Sequence, residues 1–409
     1  MAEPRNARSK MKTDEKQVRS WDETYHFPMY NRFPVILVEG SGAVVRDIHG
    51  EEYVDCLAGI AVNCLGYAHP AMVEAVCAQS RRLMHTSNLF YTVPQARLAR
   101  RLVELSSLDR VFFCNSGAEA VEGAVKLARK HSLIHGRGQQ IISLENCFHG
   151  RTIATVTMGK AKYHDQFRPL PPGFEKVPFN DIHALRGCVG DETAAVIIEP
   201  VQGEGGIHPV SREFMMAARE FCDKHGALLI LDEIQCGAGR TGSFFAYEQF
   251  GITPDVVTMA KGLGGGFPIG AVLATESVAS AFEPGDHGTT FGGNPLACAV
   301  ADSVVEIVSA PEMLKSVEAK GRYLMDSLRS LSRGTRAVKE VRGMGLMVGV
   351  ELECSAPDVV SGMIDRGVLV NYTSESVLRM VPPFVITTHQ LDTAVRALAE
   401  SLEEVVDGE

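Results

Sequence analysis

Two short apolar runs, Ala227–Leu231 and Val256–Met259, are bounded by turn residues and rich in strand formers. Such runs read as buried parallel strands. The first empties into Asp232, and the second leads through Ala260 into Lys261. In an open α/β sheet, ligands gather at the carboxyl edge of the strands. A carboxylate and an amine delivered to that edge are a candidate reactive pair. Singly, each has an ordinary explanation, since a lysine after a strand is most often a solvated loop residue. Behind Lys261 stand Gly262, Gly264, Gly265, Gly266 and Gly270. They free the backbone to approach a ligand or a neighbouring subunit, although they would serve equally as a flexible turn.

A third element precedes these two. Arg110–Cys114 reads as a strand, followed by Asn115-Ser116-Gly117-Ala118-Glu119 and a helical run through Lys130. The N-terminus of a helix offers free backbone N–H groups to an anion. Ser116 also has the side chain to cap that helix. Amine, acid and anion cradle together are what a protein needs to hold an aldehyde cofactor such as pyridoxal 5′-phosphate. The amine forms an imine, the acid faces the pyridinium nitrogen, and the helix end takes the phosphate.

The chain that must position these groups has 409 residues, long enough for two domains, and is 45% hydrophobic. Its net charge of −10 argues against nucleic acid and anionic membrane as partners. The ten cysteines show no CxxC pair and no metal-ligand spacing, so no metal site is expected and a reducing, cytoplasmic setting is. Residues 1–20 are polar and read as a disordered lead-in without the apolar core of a secretory signal. No apolar run approaches membrane-spanning length.

Pro34–Leu57 alternates apolar and polar residues around Gly40, Gly42 and Gly50, the pattern of antiparallel hairpins. Helical periodicity follows over Pro70–Arg82 and Pro94–Leu105. Strands at Gln140–Leu144 and Ala194–Pro200 continue the strand–helix alternation, which implies a mainly parallel sheet covered by helices. After Asn294-Pro295 one long helical stretch is expected to about Leu331, then apolar strands at Gly345–Leu352, Val368–Asn371 and Val377–Pro382. The expected division is a large α/β domain over 70–304 and a smaller α+β domain built from 21–69 plus 305–409.

The sequence resembles the class III (subgroup II) aminotransferases, pyridoxal-phosphate enzymes of fold type I. The resemblance rests on FFCNSGAEA (112–120), FHGRT (148–152), EPVQGEGG (199–206), LDEIQCGAGRTG (231–242), AKGLGGGFPIG (260–270) and HGTTFGGNP (287–295). It implies that Lys261 carries the cofactor and later moves the substrate proton as a neutral amine, and that Asp232 pairs with the ring nitrogen. Gln235 would lie near the ring's phenolic oxygen and Phe148 on its face. Ser116, Gly117 and Ala118 would hold the phosphate, completed by Thr290 from the partner in a homodimer with shared sites. Arg151 would grip the far carboxylate of the substrate. Arg379 would bind the α-carboxylate of glutamate and 2-oxoglutarate, with Glu204 pairing that arginine when the amino donor is bound. Asn88 belongs to the expected substrate wall.

Within the family the motifs are most similar to the branch acting on N2-acetyl-L-ornithine. The implied reaction is transfer of its terminal amino group to 2-oxoglutarate in arginine biosynthesis. Succinyl-diaminopimelate, ornithine and 4-aminobutyrate remain alternative donors. An aminomutase of the glutamate-1-semialdehyde type is a rival that would not need the Glu204 and Arg379 pair. A non-enzymatic phosphate-binding module is another, but no Walker A pattern exists. The sequence reads GAEAVEGAVK at 117–126, where acetylornithine enzymes commonly read GAEANEAALK. Gly123 implies close packing, and a subunit contact is one place for it.

Overall fold

A computed structural model describes residues 14–408. At its centre lies a seven-stranded sheet in the order Arg110–Cys114, Gly270–Ala274, Val256–Met259, Leu228–Asp232, Thr193–Ile198, Gln140–Leu144, Phe174–Val177. All neighbours are parallel except Gly270–Ala274, which is antiparallel to both of its partners. The protein is therefore α/β with a mostly parallel central sheet. Every residue of the four strands from Thr193–Ile198 to Gly270–Ala274 is buried. That is why the first three of these read as continuous apolar runs rather than as alternating ones.

Side-chain alternation splits the core into two layers. Leu228 and Ile230 join the cluster under helix Gly117–Ile134, whereas Leu229 and Leu231 pack with Phe214, Met215 and Phe221 of helix Arg212–His225. Each side chain of this size contributes about 1.5–3 kcal/mol by leaving water. Helix Arg212–His225 is capped at its start by the Ser211 side chain and ends at Gly226, which takes the left-handed φ of 61°.

The hairpins Leu37–Ser41, Val44–Asp47 and Glu52–Asp55 are antiparallel, and the last of them pairs in parallel with Val368–Leu369. The front and the back of the chain thus share one sheet. A separate antiparallel sheet joins Val338–Met344, Met347–Leu352, Val377–Met380 and Asn371–Ser374.

Three expectations need correction. Within the expected disordered lead-in, Glu15–Tyr25 forms a helix whose first turn is capped by Asp14; residues 1–13 lie outside the described residues. The single helix after Pro295 is two, Pro295–Val308 and Pro311–Ser332. Pro311 disfavours a helical residue before it, and Ala310 accordingly sits at φ −60°, ψ 133°. The strands Phe174–Val177, Gly270–Ala274 and Val338–Met344 were not expected, the second because it follows the glycine run without a break. Gly123 is closely packed, as expected: a Cβ there would lie 3.4 Å from both the His287 ring and the Val272 side chain.

Among the described residues no cysteine is joined in a disulfide. Among the described residues no helix is long and apolar enough to cross a membrane, and no group of three acidic, His or Cys side chains could hold a metal ion.

Candidate active site

The carboxyl edge of the central sheet opens into a cavity of about 440 Å³. Parallel strands deliver Glu199, Asp232 and Lys261 to it from three neighbouring ends, and the Arg110–Cys114 strand delivers Ser116. The antiparallel strand begins at Gly270, so residues 266–269 return over the same edge and line the cavity too.

Asp232 is buried at the cavity floor. Its Oδ2 lies 2.7 Å from Nδ1 of His149, and its Oδ1 accepts from Thr258 Oγ1 at 3.2 Å and Ile234 N at 3.1 Å. Lys261 reaches the same cavity from a residue at φ 43°, a conformation that non-glycine residues rarely take. Desolvation lowers its amine to about 8; the Arg379 guanidinium adds to the shift, and Glu204, Asp232 and Glu199 oppose it. The amine is thus prepared to lose its proton near neutral pH.

The backbone around Lys261 is braced by two other segments in left-handed conformation. Residues 58–61 form a turn with φ values of 51°, 61°, 68° and 60°, and Ala238 has φ 51°. Both meet Gly262, where a Cβ would lie 3.3 Å from Ala238 Cβ and 3.8 Å from the Ala61 carbonyl oxygen. Asp55 pins the turn: its Oδ1 accepts from the N–H groups of Leu57 at 2.8 Å and Ala58 at 2.9 Å, and Tyr67 donates to its Oδ2 at 2.7 Å.

Ser116 caps helix Gly117–Ile134 by accepting from Glu119 N at 3.2 Å. The N–H groups of Gly117 and Ala118, in the first turn, have no partner within the helix and border the cavity. Gly117 is needed there, because a Cβ would come within 2.9 Å of the Ile234 side chain. These features fit a pyridoxal-phosphate cofactor. A buried carboxylate, an amine with a lowered pKa and a helix N-terminus share one cavity, and a Cβ at Gly117 would press on the Ile234 side chain.

Two arginines face the cavity region in different states. Arg379 is buried and ion-paired with Glu204, whose carboxyl it holds below the ordinary range against the effect of burial. Its Nη1 also donates to Gln235 Oε1 at 3.2 Å and its Nε to Asn371 Oδ1 at 3.1 Å. Arg151 makes no ion pair with any described carboxylate. Its guanidinium instead lies over the Tyr163 ring at 4.2 Å and over Phe148 at 5.4 Å. Lys160 donates to the Glu204 carbonyl at 3.1 Å.

Of the residues singled out from sequence, Lys261, Asp232, Gln235, Ser116, Gly117, Ala118, Phe148 and Arg151 line this cavity. Glu204 and Arg379 adjoin it through Gln235. Thr290 does not border it; it is exposed on the loop before Phe291. Asn88 does not either, since its side-chain amide donates to the carbonyls of Thr289 and Gly292 and so holds that loop. Sequence reasoning missed His149 and Glu199. Both sit inside quoted motifs, FHGRT and EPVQGEGG, so the signal was present. Glu199 accepts from Phe148 N at 2.9 Å and Gly203 N at 3.1 Å, and burial pushes its carboxyl up to about 7.

The family model for class-III aminotransferases matches residues 26–402. The chain is 52% identical over 389 residues to the acetylornithine aminotransferase of Methanocaldococcus jannaschii, covering 94% of this chain and 97% of that one. Among solved structures, the ornithine aminotransferase of Toxoplasma gondii, whose active site holds partially occupied PLP, superposes with a TM-score of 0.93 at 34% identity. That match covers 97% of this chain and 96% of the other. The N-acetylornithine aminotransferase of Stenotrophomonas maltophilia gives a TM-score of 0.83 at 38% identity over 95% and 100% of the two chains.

Proposed function

The chain belongs to the class-III aminotransferases, and we propose that within this family it moves the terminal amino group of N2-acetyl-L-ornithine to 2-oxoglutarate, giving N-acetylglutamate 5-semialdehyde and glutamate, with pyridoxal 5′-phosphate as cofactor. The observation that carries the reading is the unequal state of the two arginines. Arg379 is masked by Glu204, while Arg151 has no acidic partner among the described residues.

The first substrate reacts through a side-chain amine and the second through an α-amine. One cavity must therefore show a carboxylate clamp in one half-reaction and hide it in the other. With Glu204 on Arg379, Arg151 is the arginine of the described cavity left to grip a carboxylate, so a donor binds with its far end at Arg151 and its terminal amine toward Lys261. When Glu204 swings away, Arg379 takes the α-carboxylate of glutamate. The bidentate fork of arginine suits both tasks better than a lysine.

When bound, pyridoxal phosphate supplies an electron sink for the substrate carbon. The protein's own part is proton management and placement. Lys261 Nζ, lowered to about 8, would take a proton from the substrate carbon and deliver it to the carbon that was the cofactor's aldehyde. The Asp232 carboxylate, held by His149 and Thr258, keeps a positive charge facing it. Gly117 and Ala118 present N–H groups to a phosphate, and Phe148 and Ile234 supply apolar walls.

The reading includes a cytoplasmic homodimer. Leu89, Phe90, Tyr91 and Phe291 point apolar side chains outward beside Thr290, which supports a partner covering that face and receiving Thr290 at its own phosphate cradle. The test is an initial-rate panel of acetylornithine, succinyl-diaminopimelate, ornithine and 4-aminobutyrate with 2-oxoglutarate. Acetylornithine is expected to give the highest kcat/KM; a clear win for ornithine or 4-aminobutyrate defeats the proposal.

A further inference from the structure

The Tyr163 ring carries two cations. Arg151 lies 4.2 Å from its centroid and the Lys162 ammonium 5.0 Å. Tyr163 also meets Phe148 edge to face, with centroids 6.1 Å apart. The ring thus joins the cavity wall to a positively charged lip. The acids on every neighbouring element are engaged elsewhere. Glu204 is paired with Arg379, Glu199 takes two backbone N–H groups, and Asp165 is paired with Arg168. Glu122, on the helix packed beneath, accepts from the Thr152 hydroxyl and makes no ion pair with Arg151. Lys160, also cationic, lies on the Glu204 carbonyl.

From this arrangement we infer that the Arg151–Tyr163–Lys162 stack sets donor specificity by rejecting a free α-ammonium, so that the enzyme accepts ω-amines whose α-nitrogen is acylated. The inference rests on the proposed donor orientation and goes one step further, to the residues that choose among donors. A carboxylate gripped by Arg151 brings the adjacent α-nitrogen to the same lip. An amide nitrogen there is neutral and costs nothing electrostatically. An ammonium meets Arg151 and Lys162 with no described carboxylate to compensate. The aromatic face that could otherwise attract it already serves two cations. Tyr163 is a positioning residue, since it holds the Arg151 guanidinium over its ring and open to substrate.

The experiment compares kcat/KM for acetylornithine and ornithine in the holoenzyme. It uses the unaltered protein, Lys162→Glu, Lys162→Gln, Tyr163→Leu and Tyr163→Phe. The two donors differ in the charge at one nitrogen, so a general loss of folding or cofactor lowers both together and leaves their ratio unmoved. Lys162→Glu is expected to narrow the preference for acetylornithine about tenfold, and Lys162→Gln by less. Tyr163→Leu is expected to lower kcat/KM for acetylornithine about tenfold, and Tyr163→Phe to keep most of it. A ratio that stays constant in both Lys162 variants overturns the inference. Failure of the unaltered enzyme to use acetylornithine overturns the proposed reaction itself, and is seen before any variant is made.

Discussion

His149 Nδ1 lies 2.7 Å from Asp232 Oδ2, and both side chains are buried. Burial opposes a charged imidazole here. Even so, the neighbouring Cys147 and the hydrogen bond to Asp232 hold its proton well above the usual histidine range. The acid proposed to face the cofactor nitrogen is therefore itself oriented by this imidazole.

Removing that partner should loosen the acid without emptying the cavity. His149→Leu is expected to lower kcat about 10–100-fold, the size typical when an orienting partner of a reacting group is lost. His149→Gln, which keeps a donor, should lose less. Stopped-flow half-reactions with glutamate measure this, and equal rates in His149→Leu and the unaltered enzyme would rule the role out.

Gly117→Ala places a methyl 2.9 Å from the Ile234 side chain at the mouth of the phosphate cradle. Affinity for pyridoxal phosphate is expected to fall at least about tenfold, equal to about 1.4 kcal/mol. Gly190→Ala, where an added Cβ meets nothing within 4 Å, serves as the reference. Titration of the cofactor-free proteins by absorbance decides, and matching affinities would show that the helix end is not the cradle.

Arg379→Met would remove the proposed clamp of one half-reaction only. The glutamate half-reaction should fall by about two to three orders of magnitude, as expected for losing a charge-assisted contact worth about 3–5 kcal/mol. The acetylornithine half-reaction should stay within about tenfold. A parallel loss in both halves contradicts the division of labour between Arg151 and Arg379.

Lys261 gives a pH signature in the cofactor-free protein. Its amine titrates at about 8 in the fold against 10.5 ordinarily. Between those values the unfolded chain binds the extra proton, so this residue's contribution makes stability rise with pH across the window and stay flat below it. Lys261→Met is expected to be more stable than the unaltered protein at pH 7 by about 1–3 kcal/mol, a gap that closes toward pH 10.5. Urea denaturation at pH 7 and pH 10 reads it; a gap that widens with pH would be inconsistent with a desolvated amine.

Much of this arrangement was legible in the chain. Strand ends at Asp232 and Lys261, and the turn at Ser116, could be read because buried parallel strands leave uninterrupted apolar runs and because helix starts use small residues. Arg151, Glu204 and Arg379 could be placed only through their motifs, since a bare arginine looks like any surface charge. What stayed hidden depends on non-local packing. His149 reaches Asp232 across 83 positions of sequence. The Gly270–Ala274 strand pairs antiparallel inside a parallel sheet, and neither propensity nor period distinguishes that direction. The break at Pro311 was available from local chemistry and was overlooked.

The left-handed turn at 58–61 has a consequence for heat resistance. Three of its residues bear side chains, and each left-handed position costs such a residue roughly 1–2 kcal/mol. Ile60→Gly or Ala61→Gly would recover part of that sum, yet the turn borders Gly262, the neighbour of the reactive amine. A sturdier protein obtained this way would aim Lys261 less firmly, trading turnover for endurance. Melting temperature and kcat measured on the same two variants would expose the trade, and a rise in both would show that the turn is an inherited cost with no benefit to the enzyme.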